Sequence, residues 1–269
     1  MTHMIYVVPS LKAKENLQCE GKAWAESQGF TYVPRGKRTI QDLMDEYGED
    51  FLVYSSRGPQ IDRPEGSHFF SLNMAELRIQ NLRKGQRDHL LEALMGRGSS
   101  KLPITVLDCT CGFGADAAVA SFGLPAGSHV DALEVSPLLE AVTSWGFSHF
   151  VHKKDDVTAA LRRISLRRGD YRDYLLSDEG PVYDVLYFDP MFQRPVEASC
   201  QFQPVRAIME HGGLTRDLIE RAMQKARRRV VIKERDFRQL CRDFPEVTLY
   251  GGKYSRIGYA VLECDSWKK

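Results

Sequence analysis

Near the start of the chain, apolar residues come in short runs, Ile5 to Val8 and Phe51 to Tyr54. Between them, stretches around Ala13 to Ser27 and Thr39 to Tyr47 carry apolar positions at helical spacing. This pattern predicts a small α/β lobe over residues 1–65. Arg57 to Gly66, with two prolines and two glycines, reads as the boundary or a mobile connection. One helix is predicted from Met74 to Met95. After Gly96 to Pro103 the period switches to strand, turn, helix, strand. Strands are expected at Ile104 to Leu107, His129 to Leu133, Ile164 to Arg167, Val182 to Phe188 and Arg229 to Lys233. Helices are expected at Ala115 to Phe122, Pro137 to Phe150, Val157 to Leu161 and Leu214 to Lys225. Such alternation predicts a parallel sheet with covering helices. Val247 to Tyr250 and Tyr259 to Cys264, around Gly251 and Gly252, add an antiparallel hairpin at the sheet edge. Residues 66–269 are therefore expected to form a doubly wound, mostly parallel α/β sheet of seven strands.

The densest chemical signal is Val106-Leu107-Asp108-Cys109-Thr110-Cys111-Gly112-Phe113-Gly114-Ala115-Asp116-Ala117, a strand running into two glycines and a helix. Glycines there let the backbone turn sharply and approach a ligand, and the helix start offers N–H groups to an anion. Glu134 ends the next strand, where a carboxylate can accept both hydroxyls of a ribose. The glycines alone also fit a dinucleotide fingerprint. Asp108 separates the two, because a carboxylate there repels a pyrophosphate and attracts a cationic amino group. Gly169-Asp170 follows the third strand, where Asp170 would accept from an adenine amine or simply form a turn.

The second signal is Tyr183-Asp184-Val185-Leu186-Tyr187-Phe188-Asp189-Pro190-Met191-Phe192, an apolar strand that delivers a carboxylate, a proline and an aromatic to the ligand-binding edge. The lone pair of a planar amine is delocalised into its π system. Two acceptors on its hydrogens can draw it towards a tetrahedral shape and aim that lone pair. Asp189 offers one acceptor and the Pro190 carbonyl the other. Proline has no N–H to compete and stiffens the turn, while Phe192 can stack on a flat base.

These segments resemble the class I methyltransferases, and the Asp-Pro-Met-Phe loop resembles the RsmJ group of bacterial small-subunit rRNA guanine-N2 methyltransferases. The cofactor loop is similar to that group's Asp-Ala-Thr-Ala-Gly-Leu-Gly-Arg-Asp-Ala. Asp189-Pro190-Met191-Phe192 matches its reaction loop, and Arg229-Val230-Val231-Ile232-Lys233 matches a basic strand. The likeness spans about residues 66–269. This chain departs from the pattern at Cys109, Cys111, Ala115 and Gln193, and residues 1–65 carry no match. The resemblance implies a Rossmann-like fold and S-adenosylmethionine as cofactor, held by Asp108, Thr110, Gly112, Gly114, Asp116, Glu134 and Asp170. It further implies Asp189, Pro190 and Phe192 as the reacting residues, with Met191, Arg194, Lys233 and Arg235 facing an rRNA substrate.

Composition narrows the setting. The chain has 269 residues, 43% hydrophobic and 27% charged, enough for a full core. A net charge of +1 argues against wholesale polyanion binding but leaves room for a local basic face. Arg162, Arg163, Arg167 and Arg168 gather round the third strand, and Arg221, Lys225, Arg227, Arg228, Arg229, Lys233 and Arg235 round the fifth. Each cluster reads as a phosphate track or a solvated face. His68, Phe69, Asn73 and Arg78 read as a substrate-closing segment or an ordinary junction. The six cysteines form no Cys-x-x-Cys pair, and no signal-peptide pattern or membrane-length apolar run is found. Reduced thiols, a cytoplasmic setting and no metal are expected. Two other function classes stay open: a methyltransferase for a small molecule, protein amide or DNA base, and a non-catalytic cofactor-binding or RNA-docking module.

Overall fold

In the computed structural model, residues 4–96, 102–190, 213–251 and 257–264 are described. The chain divides into two compact units. Of the described residues, the first comprises 4–71 and 136–150, and the second 72–96, 102–135, 151–190, 213–251 and 257–264.

The first unit opens with β1 (Tyr6–Pro9), α1 (Glu15–Ser27), β2 (Thr31–Tyr32), α2 (Ile40–Tyr47) and β3 (Phe51–Ser55), and continues with β4 (Gly58–Arg63) and β5 (Gly66–Phe69). The strand order is β2-β1-β3-β4-β5, with β1 parallel to β2 and β3, and β4 antiparallel to β3 and β5. Thr39 starts α2 with a capping box: its hydroxyl accepts from the Asp42 N–H and its own N–H donates to the Asp42 carboxylate. Leu43 then packs with Val8, Phe51 and Val53.

The prolines and glycines of 57–66 pointed to a connection, yet they build two strands, and every residue of β4 is buried. Pro59 sits at the second position of its strand, near the end where a missing N–H is tolerated. Gly58, at φ +87°, turns the chain from β3 into β4, and a Cβ there would lie 2.5 Å from the Trp145 ring. The punctuation marks a tight strand-to-strand turn.

The second unit begins with α3 (Asn73–Arg83) and α4 (His89–Met95). The single helix expected from Met74 to Met95 is broken because Gly85 takes φ +74° and Asp88 starts a new helix, accepting from the N–H groups of Leu90 and Leu91. There follow β6 (Thr105–Asp108), α5 (Ala115–Gly123) and β7 (His129–Glu134). Next come α6 (Pro137–His149), which clusters with the first unit, α7 (Asp155–Leu161), β8 (Ile164–Arg168) and α8 (Tyr171–Leu176). The chain then gives β9 (Val185–Phe188), α9 (Arg216–Lys225), β10 (Arg229–Glu234), α10 (Arg238–Asp243), β11 (Thr248–Gly251) and β12 (Gly258–Glu263). Helices α8 and α10 were not anticipated, each being only six residues long.

The seven strands order as β11-β12-β10-β9-β6-β7-β8. β6 to β10 are mutually parallel where they pair, and β12 runs antiparallel to both β10 and β11. This is the doubly wound, mostly parallel sheet the strand-helix alternation predicted, with its hairpin at one edge. Side chains alternate across it. Leu107, Leu186, Phe188, Val230, Ile232, Ala260 and Leu262 bury one face together with Tyr171, Leu175, Ile219 and Ala222 from α8 and α9. Among the described residues no helix is long and apolar enough to cross a membrane.

Candidate functional site

The same alternation places Asp108, Tyr187, Lys233 and Tyr259 on the opposite face. Asp108 pairs in register with Tyr187, Tyr187 with Val231, and Lys233 with Tyr259. Asp108, Tyr187 and Lys233 lie at or near the carboxyl ends of β6, β9 and β10. That is the edge where open parallel sheets bind ligands.

Four backbone N–H groups tie the ends of β6, β7 and β9 together. Cys109 N–H donates to the Tyr187 carbonyl at 2.9 Å and Cys111 N–H to the Leu133 carbonyl at 2.9 Å. Gly112 N–H donates to Glu134 Oε2 at 2.8 Å, and Asp189 N–H to Thr110 Oγ1 at 2.7 Å. Asp108 and Asp189 therefore stand side by side on one edge. Gly112 and Gly114 adopt φ of +53° and +75°, a region in which other residues are strained. Among the described residues a Cβ on Gly112 would meet only the Thr110 carbonyl oxygen, at 4.0 Å, which leaves room over the turn.

Asp108 is 2% exposed and accepts from the Thr110 N–H at 3.1 Å. Burial pushes its carboxyl well above the ordinary range, and the charges of Asp116 and Asp189 add to the push. A cation brought to this carboxylate would offset that cost. The open cradle, the cation-seeking Asp108 and the Glu134 carboxylate fit the amino acid and ribose parts of S-adenosylmethionine.

Beside this cradle lies a buried ionic network. Lys233 Nζ is 2.7 Å from Asp116 Oδ2 and 2.7 Å from Asp189 Oδ2. Asp116 also accepts from the Tyr187 hydroxyl at 2.7 Å and from Arg78, which grips Asp88 through two bonds of 2.8 Å. Burial opposes the charge of Asp116, but Lys233 and Arg78 outweigh it and hold the carboxyl below its ordinary range. Burial likewise opposes the Lys233 charge, and Asp116 and Asp189 overcome it, raising the ammonium above its ordinary range. For Asp189 burial wins, with Lys233 only partly compensating, and its carboxyl is pushed up to about 6.

Asp170 lies just past β8, where its Oδ1 accepts from the Arg172 N–H and caps α8. Its other oxygen is 3.4 Å from the Arg172 guanidinium. Pro190 follows Asp189 at the edge, half-buried. Met191, Phe192 and Arg194 lie outside the described residues. Arg235 is exposed just beyond β10. The rest of the fifth-strand cluster is elsewhere: Lys225 donates to the carbonyls of Tyr174 and Ser177, Arg228 pairs with Asp184 at 3.0 Å, and buried Arg229 pairs with Glu263 at 3.3 Å. These belong to the amino end of β10. Round β8, Arg162, Arg163, Arg167 and Arg168 are exposed, with Arg163 donating to the Ser121 carbonyl at 2.8 Å. His68 and Phe69 fall on β5, Asn73 opens α3, and Arg78 joins the network. Tyr187, Tyr259 and Asp88 were missed by sequence reasoning. The strand alternation would have found the two tyrosines, while Asp88 carried only the signal of a helix cap. Among the described residues no group of three or more His, Cys, Asp or Glu is arranged to hold a metal ion.

The family model described as "Putative SAM-dependent methyltransferase" matches residues 67–257. This chain belongs to that family. It is a class I S-adenosylmethionine-dependent methyltransferase that resembles the RsmJ group. The methyltransferase is 29% identical over 230 residues to the uncharacterized protein YpiP of Bacillus subtilis (strain 168), covering 85% of this chain and 88% of that protein. It is 28% identical over 213 residues to the ribosomal RNA small subunit methyltransferase J of Pseudomonas paraeruginosa, covering 78% and 77% of the two chains. The corresponding protein of Marinobacter nauticus is 27% identical over 194 residues, 71% of this chain and 66% of its own. A crystal structure of the SAM-dependent methyltransferase NGO1261 from Neisseria gonorrhoeae shares the fold, with a TM-score of 0.61 and 18% identity over 97% of this chain and 96% of that one.

Proposed function

We propose that this methyltransferase modifies the exocyclic N2 amine of a guanine in small-subunit rRNA. One observation carries the reading to an amine: the Asp189-Pro190 pair leaves β9 next to the cofactor cradle, and among the described residues Asp189 Oδ1 takes no hydrogen bond while Oδ2 is held by Lys233. The relatives named ribosomal RNA small subunit methyltransferase J carry the reading to rRNA.

S-adenosylmethionine, when bound, supplies an electrophilic methyl on a sulfonium. Asp108 would pair with its amino group, Glu134 with its ribose, and the backbone from Thr110 to Gly114 would line its carboxylate. Asp170 would face the adenine. Asp189 Oδ1 and the Pro190 carbonyl then accept from the two amine hydrogens, which localises the nitrogen lone pair and aims it. Positioning and a preorganised electrostatic site supply most of the rate. As the nitrogen gains positive charge, Asp189 stabilises it and holds the proton it sheds. A guanine within a helix must leave its stack to reach this edge, which favours a single-stranded or splayed nucleotide. Arg235 and, at the carboxyl end of β8, Arg167 and Arg168 would meet phosphates.

The test is mass mapping of modified nucleotides in rRNA from cells with and without the protein, followed by transfer assays on naked rRNA and assembled small subunits. Loss of one N2-methylguanine on deletion, restored by the purified enzyme, is expected. Unchanged rRNA, with transfer to a small molecule instead, would refute the substrate.

A further inference from the structure

The Lys233 ammonium stands between a buried carboxylate, Asp116, and a partly exposed one, Asp189, and the two are not equivalent. Lys233 Nζ is 2.7 Å from an oxygen of Asp116 and 2.7 Å from one of Asp189, so these oxygens are separated by at most twice that distance. Two carboxylates that close raise each other's tendency to hold a proton, and a cation between them offsets it. Asp116 has other support, from the Tyr187 hydroxyl and the Arg78 guanidinium. Among the described residues the Asp189 carboxylate hydrogen-bonds only to Lys233.

We propose that Lys233 is a positioning residue for methyl transfer: its ammonium keeps Asp189 ionised and engages one oxygen, leaving the other to accept from the incoming amine. The proposal rests on Asp189 being the amine acceptor. Its logic is donor against acceptor. A protonated Asp189 would present an O–H, a donor, to an amine whose hydrogens also donate, and the contact that aims the lone pair would be lost.

The surroundings assign the balance to Lys233. Facing Asp189 are Asp108 from β6, Asp116 from α5, Tyr187 from β9, and Lys233 with Glu234 from β10; Arg78 from α3 pairs with Asp116 and Asp88. Among the described residues these neighbours other than Lys233 are anionic or neutral, so removing it would send a proton to Asp189, the less supported carboxylate. This differs from a role for Lys233 as a phosphate contact, since its ammonium already lies between two carboxylates.

The experiment is a pH titration of the Asp189 side-chain carbon by NMR in the full chain, assigned with Asp189→Asn. It is repeated for Lys233→Met, Lys233→Gln and Lys233→Arg, with the pH profile of methyl transfer and the calorimetric cofactor affinity measured alongside. Lys233→Met and Lys233→Gln should each move the Asp189 midpoint up by at least about one pH unit, the scale of a lost neighbouring charge. Lys233→Arg should restore most of it. Transfer by the neutral variants should fail near pH 7 and recover as the pH is raised, with cofactor affinity within about twofold, less than the tenfold that 1.4 kcal/mol represents. Should Lys233→Met fail to fold, Lys233→Gln keeps a neutral donor and carries the same expectation. The titration needs no acceptor substrate, so an error in the substrate leaves it standing. An unmoved midpoint in a folded neutral variant overturns the role of Lys233 whatever the substrate is.

Discussion

The two ends of the parallel sheet both bury charge, and they treat it differently. At the amino end of β9, Asp184 is saturated. Its Oδ2 accepts from the Thr105 N–H at 2.8 Å and the Thr105 hydroxyl at 3.1 Å, and its Oδ1 meets Arg228 Nε at 3.0 Å. Arg228 and Arg229 N–H groups donate in turn to the Asp184 carbonyl. At the carboxyl end Asp116 and Asp189 share Lys233, Asp116 also meets an Arg78 already committed to Asp88, and Asp108 accepts from the Thr110 N–H. A buried carboxylate without full compensation costs stability and is retained where a ligand supplies the missing charge. The amino end holds the sheet, and on the proposed reading the carboxyl end receives a cation.

The sharpest way to break this contrast is Asp189→Ala. Methyl transfer should fall by about 100- to 1000-fold or more, the scale of losing one preorganised electrostatic contact. Cofactor affinity should hardly change, because the residue is assigned to the acceptor amine. Equal loss of both, measured by single-turnover transfer and calorimetry, would count against that assignment.

Asp184→Ala should show the reverse. Removing it leaves the Thr105 N–H without its acceptor and takes a counter-charge from Arg228, and unfolding in urea should lose about 3 kcal/mol. Cofactor affinity in the folded fraction should stay as it was. A weakened cofactor without a stability loss would erase the difference between the ends.

Asp108→Ala tests the cradle itself and should weaken cofactor binding by more than about 1 kcal/mol, the scale of a charge-assisted hydrogen bond. An unchanged calorimetric affinity refutes the placement. The pH dependence sharpens the same edge. Asp189 accepts only when ionised, and its carboxyl is raised to about 6 by burial. kcat/KM should therefore be full above that pH and fall as the pH drops through about 6, because this ratio reports groups of the free enzyme. An acid limb near 4, the ordinary carboxylate range, would mean that Asp189 is not the titrating acceptor.

Much of this contrast could be read in the sequence, and the failures have physical causes. The strand-helix alternation predicted the second sheet, and period-two spacing within Val185–Phe188 and Arg229–Glu234 separates Tyr187 and Lys233 from the core side. Asp108 and Asp189 were legible because each directly ends an apolar strand. The antiparallel end of the first sheet was not, because Gly58, Pro59, Pro64 and Gly66 signal turns whether the chain between them is loop or ladder. Arg78 and Asp116 are separated by 37 intervening residues, and only tertiary structure brings them together.

The basic residues of 221–235 show the same limit and give the smallest test. In sequence they form one cluster, but β10 spans Arg229–Glu234 at about 3.3 Å per residue, so Arg229 and Arg235 end up at opposite rims of the sheet. Phosphates of an RNA seated at the carboxyl edge should reach Arg235 and not Arg221 or Arg227. Arg235→Ala should lower the slope of log affinity against log salt by about one, the effect of one lost phosphate contact. Arg221→Ala and Arg227→Ala should leave the slope unaltered. If the amino-end variants flatten the slope and Arg235→Ala does not, the RNA lies across the other rim, and the charged residues round Asp184 are part of its track.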